Sequence, residues 1–100
     1  MPNINTAYQW CINACNAPNI GYSQAYRRGQ TVNGITYYDC SSFISQALTI
    51  AGFYSTNPWF TTATMRNYLT QAGFVEYNPS EVAWVPGDIL LTVSGGHTEM

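Results

Sequence analysis

The stretch Tyr37-Tyr38-Asp39-Cys40-Ser41-Ser42-Phe43-Ile44-Ser45-Gln46-Ala47-Leu48 decides how this chain is read. Apolar residues at Phe43, Ile44, Ala47, Leu48 and Ala51 recur at the spacing of one helical face, and Gly52 follows as a stop signal. Cys40 then falls in the first turn, where unpaired backbone N–H groups and the helix dipole favour negative charge. That setting favours the thiolate, the nucleophilic form of cysteine. The competing reading is a small cysteine packed in a core. The polar flanks Tyr38-Asp39 and Ser41-Ser42 count against it.

Working outward, the upstream residues from Asn3 to Asn16 predict a first helix. Ile4, Ala7, Tyr8, Cys11, Ala14 and Cys15 share its apolar stripe, and Asn3 or Asn5 is the candidate cap. Cys11 and Cys15 read most simply as small core residues. Ile20 to Gly29 reads as a Tyr-rich loop and Gly29 to Gly34 as a polar turn region. Tyr26, Tyr37 and Tyr38 read equally as groove-lining and as surface-packed side chains.

Downstream, Phe53 to Phe60 reads as an aromatic loop. Thr61 is the expected cap of a third helix over Thr62–Ala72, with Met65, Tyr68, Leu69 and Ala72 inward and Gly73 closing it. Arg66 reads as solvated. Phe74-Val75-Glu76-Tyr77 is a strand candidate and Val82–Val85 is ambiguous. Pro86-Gly87-Asp88 is a turn. Ile89-Leu90-Leu91-Thr92-Val93 has the continuous apolar character of a strand buried on both faces. Ser94-Gly95-Gly96 is a tight connection before a strand beginning at His97.

Composition narrows the classes. The chain has 100 residues, enough for one domain, 1–100, with 46% hydrophobic and only 8% charged residues. It contains no lysine; the cations are Arg27, Arg28 and Arg66. A net charge of −2 argues against a nucleic-acid partner. No apolar run approaches the roughly 20 residues that span a bilayer, so no membrane partner is expected. The start Met1-Pro2-Asn3-Ile4-Asn5 lacks a signal-peptide pattern, and three cysteines with no secretion signal suggest free thiols.

A thiolate nucleophile needs a partner that takes and returns a proton, and histidine suits that task at neutral pH. The single histidine is His97. Taken alone it reads as a surface or core residue. Paired with a helix-start cysteine it fits a cysteine–histidine hydrolase. Glu99, two residues on, is poorly placed to orient the imidazole. A zinc site made of Cys11, Cys15, Cys40 and His97 is a rival, but it lacks the usual zinc knuckles. No cofactor and no metal are expected.

Asp39-Cys40-Ser41-Ser42-Phe43, then Pro86-Gly87-Asp88-Ile89-Leu90-Leu91, then Gly96-His97 resemble the NlpC/P60 superfamily of papain-like cell-wall hydrolases. Ile20-Gly21-Tyr22 resembles the segment carrying that family's active-site tyrosine. Trp59 to Met65 and Ala72-Gly73-Phe74 are similar to its bacteriophage branch. The resemblance runs from about residue 4 to the end. Ser42 stands where many relatives carry glycine.

What the resemblance implies is an α+β papain-like domain, with three N-terminal helices packed on a small antiparallel sheet. Cys40 would be the nucleophile and His97 the general base. Tyr22 would contribute to the oxyanion site, and Asp39 and Ser41 would shape or bind the substrate; for Asp39 a helix-capping role is equally compatible. The substrate would be bacterial peptidoglycan, cut within the stem peptide or at the muramoyl–L-alanine amide. The chain would be a phage lysin or tail-associated module, made in the host cytoplasm without a signal peptide and acting on the wall after release or within a virion.

The resemblance also places a third polar residue on a strand beyond the histidine strand, after the last residue of this sequence. The expectation is therefore an incomplete domain lacking its C-terminal strands, with an unpaired sheet edge open to self-association or a partner chain. The alternatives are a catalytically incomplete wall-binding or structural module of the same fold, and an acyltransferase.

Overall fold

The computed structural model describes residues 2–76, 88–91 and 98–99. The elements run α1 (Ile4–Asn16), β1 (Ile20–Tyr22), β2 (Arg28–Val32), β3 (Ile35–Tyr38), α2 (Cys40–Ile50), α3 (Met65–Gln71), β4 (Leu90–Leu91) and β5 (Thr98–Glu99). The domain is α+β.

The two long helices follow the expected periodicity. Asn3 caps α1, its side-chain oxygen accepting from the Asn5 N–H at 2.9 Å. Ala7, Cys11 and Ala14 are its buried residues, whereas Cys15 is exposed. The expectation that Cys15 packs in the core is thus corrected; it lies at the edge of the apolar stripe, in the last turn. The Asn3 N–H donates to the Ala51 carbonyl at 3.1 Å, so α1 begins where α2 ends. Small residues from both helices, Ala7 and Cys11 with Ala47 and Ala51, sit in one core with Ile44, Leu48, Phe60 and Met65. Burying each of the larger four stabilises the fold by about 1.5–3 kcal/mol.

Between α1 and α2 the chain makes a sheet, not the loop that its polarity suggested. The strand order is β1-β3-β2, with β1 parallel to β3 and β2 antiparallel to it. The β2–β3 hairpin turns on Asn33 and Gly34, at φ 53° and 82°. Two left-handed residues form the hairpin turn whose twist matches the strands. The β2–β3 register breaks between Arg28 and Thr31, and Gly29 takes φ 69° in that stretch. A Cβ at Gly29 would lie 3.3 Å from the Trp59 ring and 3.4 Å from Tyr38. The expected order, with all helices preceding an antiparallel sheet, is corrected accordingly. A second antiparallel pair, β4–β5, joins Leu90 with Glu99 and Leu91 with Thr98. Helix α2 lies against both β3 and β5.

Helix α3 starts at Met65, a turn later than expected, because the Thr61–Thr64 segment closes on itself. The Thr61 N–H donates to Thr64 Oγ1 at 2.9 Å, and the Thr61 carbonyl accepts from the Met65 N–H at 2.8 Å. Met65 is buried, Tyr68 and Leu69 pack on the core, and Gly73 at φ 97° ends the helix as expected. Residues 74–76 form no strand. Arg66 is exposed but pairs with Glu76, which corrects its reading as merely solvated. The strand expected over Ile89–Val93 is seen at Leu90–Leu91; Thr92, Val93, the Pro86-Gly87 pair, Val82–Val85, Ser94–Gly96 and His97 lie outside the described residues.

Candidate active site

Helix α2 begins with Cys40 because Asp39 stops the strand and caps the helix. Asp39 Oδ1 accepts from the Ser42 N–H at 2.9 Å, and the Ser42 hydroxyl accepts from the Asp39 N–H at 2.8 Å. This reciprocal box satisfies two backbone donors around Cys40, and such a cap is worth about 1 kcal/mol. Cys40 is therefore the first helical residue, half-buried and a free thiol. The helix-start position inferred from periodicity is the one observed.

The neighbours of Cys40 are held from a segment that the sequence reading passed over. Arg27 precedes β2, and its guanidinium serves four acceptors. Nε donates to Asp39 Oδ2 at 2.8 Å, Nη1 to the Trp59 carbonyl at 3.0 Å, and Nη2 to Ser41 Oγ at 3.2 Å and the Phe60 carbonyl at 2.5 Å. The Ser41 hydroxyl in turn donates to Asp39 Oδ1 at 3.3 Å. Both carboxylate oxygens of Asp39 are thus engaged within the protein. Burial pushes this carboxyl up, but the Arg27 guanidinium and the Ser42 N–H and hydroxyl outweigh it and hold Asp39 below its ordinary value. Ser41 is buried, so its hydroxyl is turned into this network. An arginine pair, Arg27-Arg28, within the Tyr-rich stretch of an almost charge-free chain was the available signal for Arg27.

Aromatic side chains line the other flank. Tyr38, two residues before Cys40, is buried, edge-on to Trp10 at 5.8 Å and stacked with Trp59 at 6.3 Å. Of the tyrosines expected in the loop, Tyr38 is thus core, whereas Tyr26 is exposed and tilted against Tyr37 at 6.0 Å. Tyr22 ends β1 and is the strand partner of Tyr38, which places its backbone beside the segment entering α2. Its side chain is 63% exposed.

The structure therefore assembles Asp39, Cys40 and Ser41 at one helix start, with Tyr22 on the neighbouring strand. His97 lies outside the described residues. The strand that follows it in sequence, β5, lies against α2, and Thr98 is buried. Cys11 is buried in the core, and burial, aided by Cys15, pushes its thiol up to about 12. A thiol so held stays protonated and is a poor metal ligand. Among the described residues no three His, Cys, Asp or Glu side chains gather in a way that would hold a metal ion, and no helix is long and apolar enough to cross a membrane.

A family model described as bacteriophage peptidoglycan hydrolase matches residues 3–100. No curated protein and no solved structure matches the chain.

Proposed function

This chain belongs to the bacteriophage peptidoglycan hydrolases, and we propose that it cleaves a peptidoglycan amide through Cys40 in a papain-like, NlpC/P60-type domain. The observation that carries this reading is Cys40 as the first residue of a capped helix. The first turn of a helix is where the dipole and unpaired backbone N–H groups favour negative charge, such as that of a developing oxyanion. In the mechanism, the Cys40 sulfur attacks the amide carbonyl, and the tetrahedral oxyanion takes hydrogen bonds from the Cys40 N–H and the Tyr22 hydroxyl. His97, having taken the Cys40 thiol proton as general base, gives it to the departing amine as the C–N bond breaks, leaving a thioester on Cys40. It then draws a proton from the water that hydrolyses the thioester, and returns that proton to the departing sulfur to restore the thiol. Asp39 and Ser41 hold the helix start rather than the scissile group, since their polar atoms are engaged internally. The bond is a stem-peptide link or the muramoyl–L-alanine amide.

Clearing of purified peptidoglycan tests the proposal. Wild type is expected to clear, and Cys40→Ala to lose about 10³-fold or more of the rate. Clearing by Cys40→Ala at the wild-type rate would remove Cys40 as nucleophile; no clearing by either leaves a wall-binding module of the same fold. Mass spectrometry of the released fragments then assigns the bond from the new amino terminus.

A further inference from the structure

Arg27 is the one side chain that joins three parts of the described fold at the start of α2. It projects from the segment before β2, reaches the cap and the second residue of the helix, and reaches the carbonyls of Trp59 and Phe60 beyond the helix. The ion pair with Asp39 is mostly buried, with side-chain exposures of 16% and 12%. We infer that Arg27 is a positioning residue for the nucleophile: it holds Asp39 in the capping geometry and fastens residues 59–60 to the same helix start, so fixing where Cys40 stands. This inference rests on the reading of Cys40 as nucleophile and extends it.

The chemistry of the side chain explains why arginine stands there. Its acceptors diverge, two toward the helix start and two toward the aromatic loop, and a planar fork with five donors spans them. A lysine ammonium is a single point charge and reaches only part of the set. Without Arg27, Asp39 Oδ2 loses its partner, and a part-buried carboxylate is left with its charge uncompensated on the residue next to Cys40. A negative charge on the adjacent residue disfavours a second negative charge beside it. The Trp59 and Phe60 carbonyls lose their donors at the same time.

The test compares Arg27→Met, Arg27→Lys and the double variant Arg27→Met/Asp39→Asn with wild type, each checked for folding by circular dichroism. Iodoacetamide labelling at pH 7 is followed on the Cys40 peptide, with exposed Cys15 as internal reference, alongside peptidoglycan clearing kinetics. For Arg27→Met, labelling of Cys40 relative to Cys15 is expected to slow roughly threefold or more. Its kcat is expected to fall about tenfold or more with KM within about twofold. Adding Asp39→Asn, which keeps a capping side chain, is expected to restore most of the labelling rate. Arg27→Lys is expected to fall between wild type and Arg27→Met. A folded Arg27→Met with wild-type labelling and kcat, or a loss confined to KM, overturns the inference. If Arg27→Met does not fold, Arg27→Lys decides it, and wild-type values there overturn it. Labelling needs no turnover, so failure to clear peptidoglycan strikes the proposed function while the labelling result still judges Arg27.

Discussion

Ser45 and Asn57 are joined by a hydrogen bond of 2.5 Å, from the Ser45 hydroxyl to Asn57 Oδ1, that fastens the middle of α2 to the loop after it. The same Oδ1 accepts from the Trp59 N–H at 2.8 Å, and Asn57 Nδ2 donates to Gln46 Oε1 at 2.7 Å. Asn57 thereby shapes the turn in which Trp59 takes φ 48°, an uncommon conformation for a large side chain. Asn57→Ala strands the fully buried Ser45 hydroxyl and frees the Trp59 turn. The expected cost is about 1–3 kcal/mol, read as a lower urea midpoint with unchanged m-value. An unchanged midpoint would show that the Asn57 bridge contributes nothing net.

Gly34→Ala is expected to destabilise the domain by about 1 kcal/mol although the added methyl group meets no atom within 4 Å. The cost is purely torsional, since position 34 stands at φ 82° in the hairpin turn. Thermal unfolding reads it. A neutral result would mean that the turn relaxes to another form.

Acid tests the Asp39 cap. A carboxyl lowered in the folded state contributes stability that is full above its unfolded value of about 3.9 and is lost as pH falls through the folded value. Tm of the wild type is expected to drop between about pH 5 and pH 2 more steeply than that of Asp39→Asn, whose amide still caps the helix. Parallel curves for the two proteins would remove the Arg27–Asp39 pair as a source of acid sensitivity.

The three cysteines should separate by reactivity. Cys11, buried and pushed up to about 12, is expected to resist iodoacetamide at pH 8 until urea unfolds the chain. Cys15 is exposed and should label in the native state. Cys40, although half-buried, is expected to label faster than either at pH 7, because of its helix-start setting. Peptide mapping by mass spectrometry reads all three, and a Cys40 rate below that of Cys15 argues against thiolate activation.

The helices were legible because their signals are local. The apolar spacing of Ile44, Ala47, Leu48 and Ala51, with Asp39 ahead and Gly52 behind, fits within one short window, and the same is true of Asn3 and the α1 stripe. The β1–β3 sheet was not read, because its strands are three to five residues long and β2 is largely polar. The Asn33-Gly34 dipeptide was the signal that marked its hairpin. In the site, the Asp39-Cys40-Ser41 order was readable, but the Arg27 network was not. Its partners lie 12, 14, 32 and 33 positions away, and no periodicity encodes contacts at such separations.

Those separations also set an order of assembly. The β1-β3-β2 sheet and the Asp39 cap draw only on residues 20–42, so they close short loops and can form as soon as that segment exists. Arg27 finds two of its four acceptors only when Trp59 and Phe60 return to it. On a ribosome building from the N-terminus, Cys40 therefore emerges into an unlocked helix start, and its setting is completed only after residue 60 has been added.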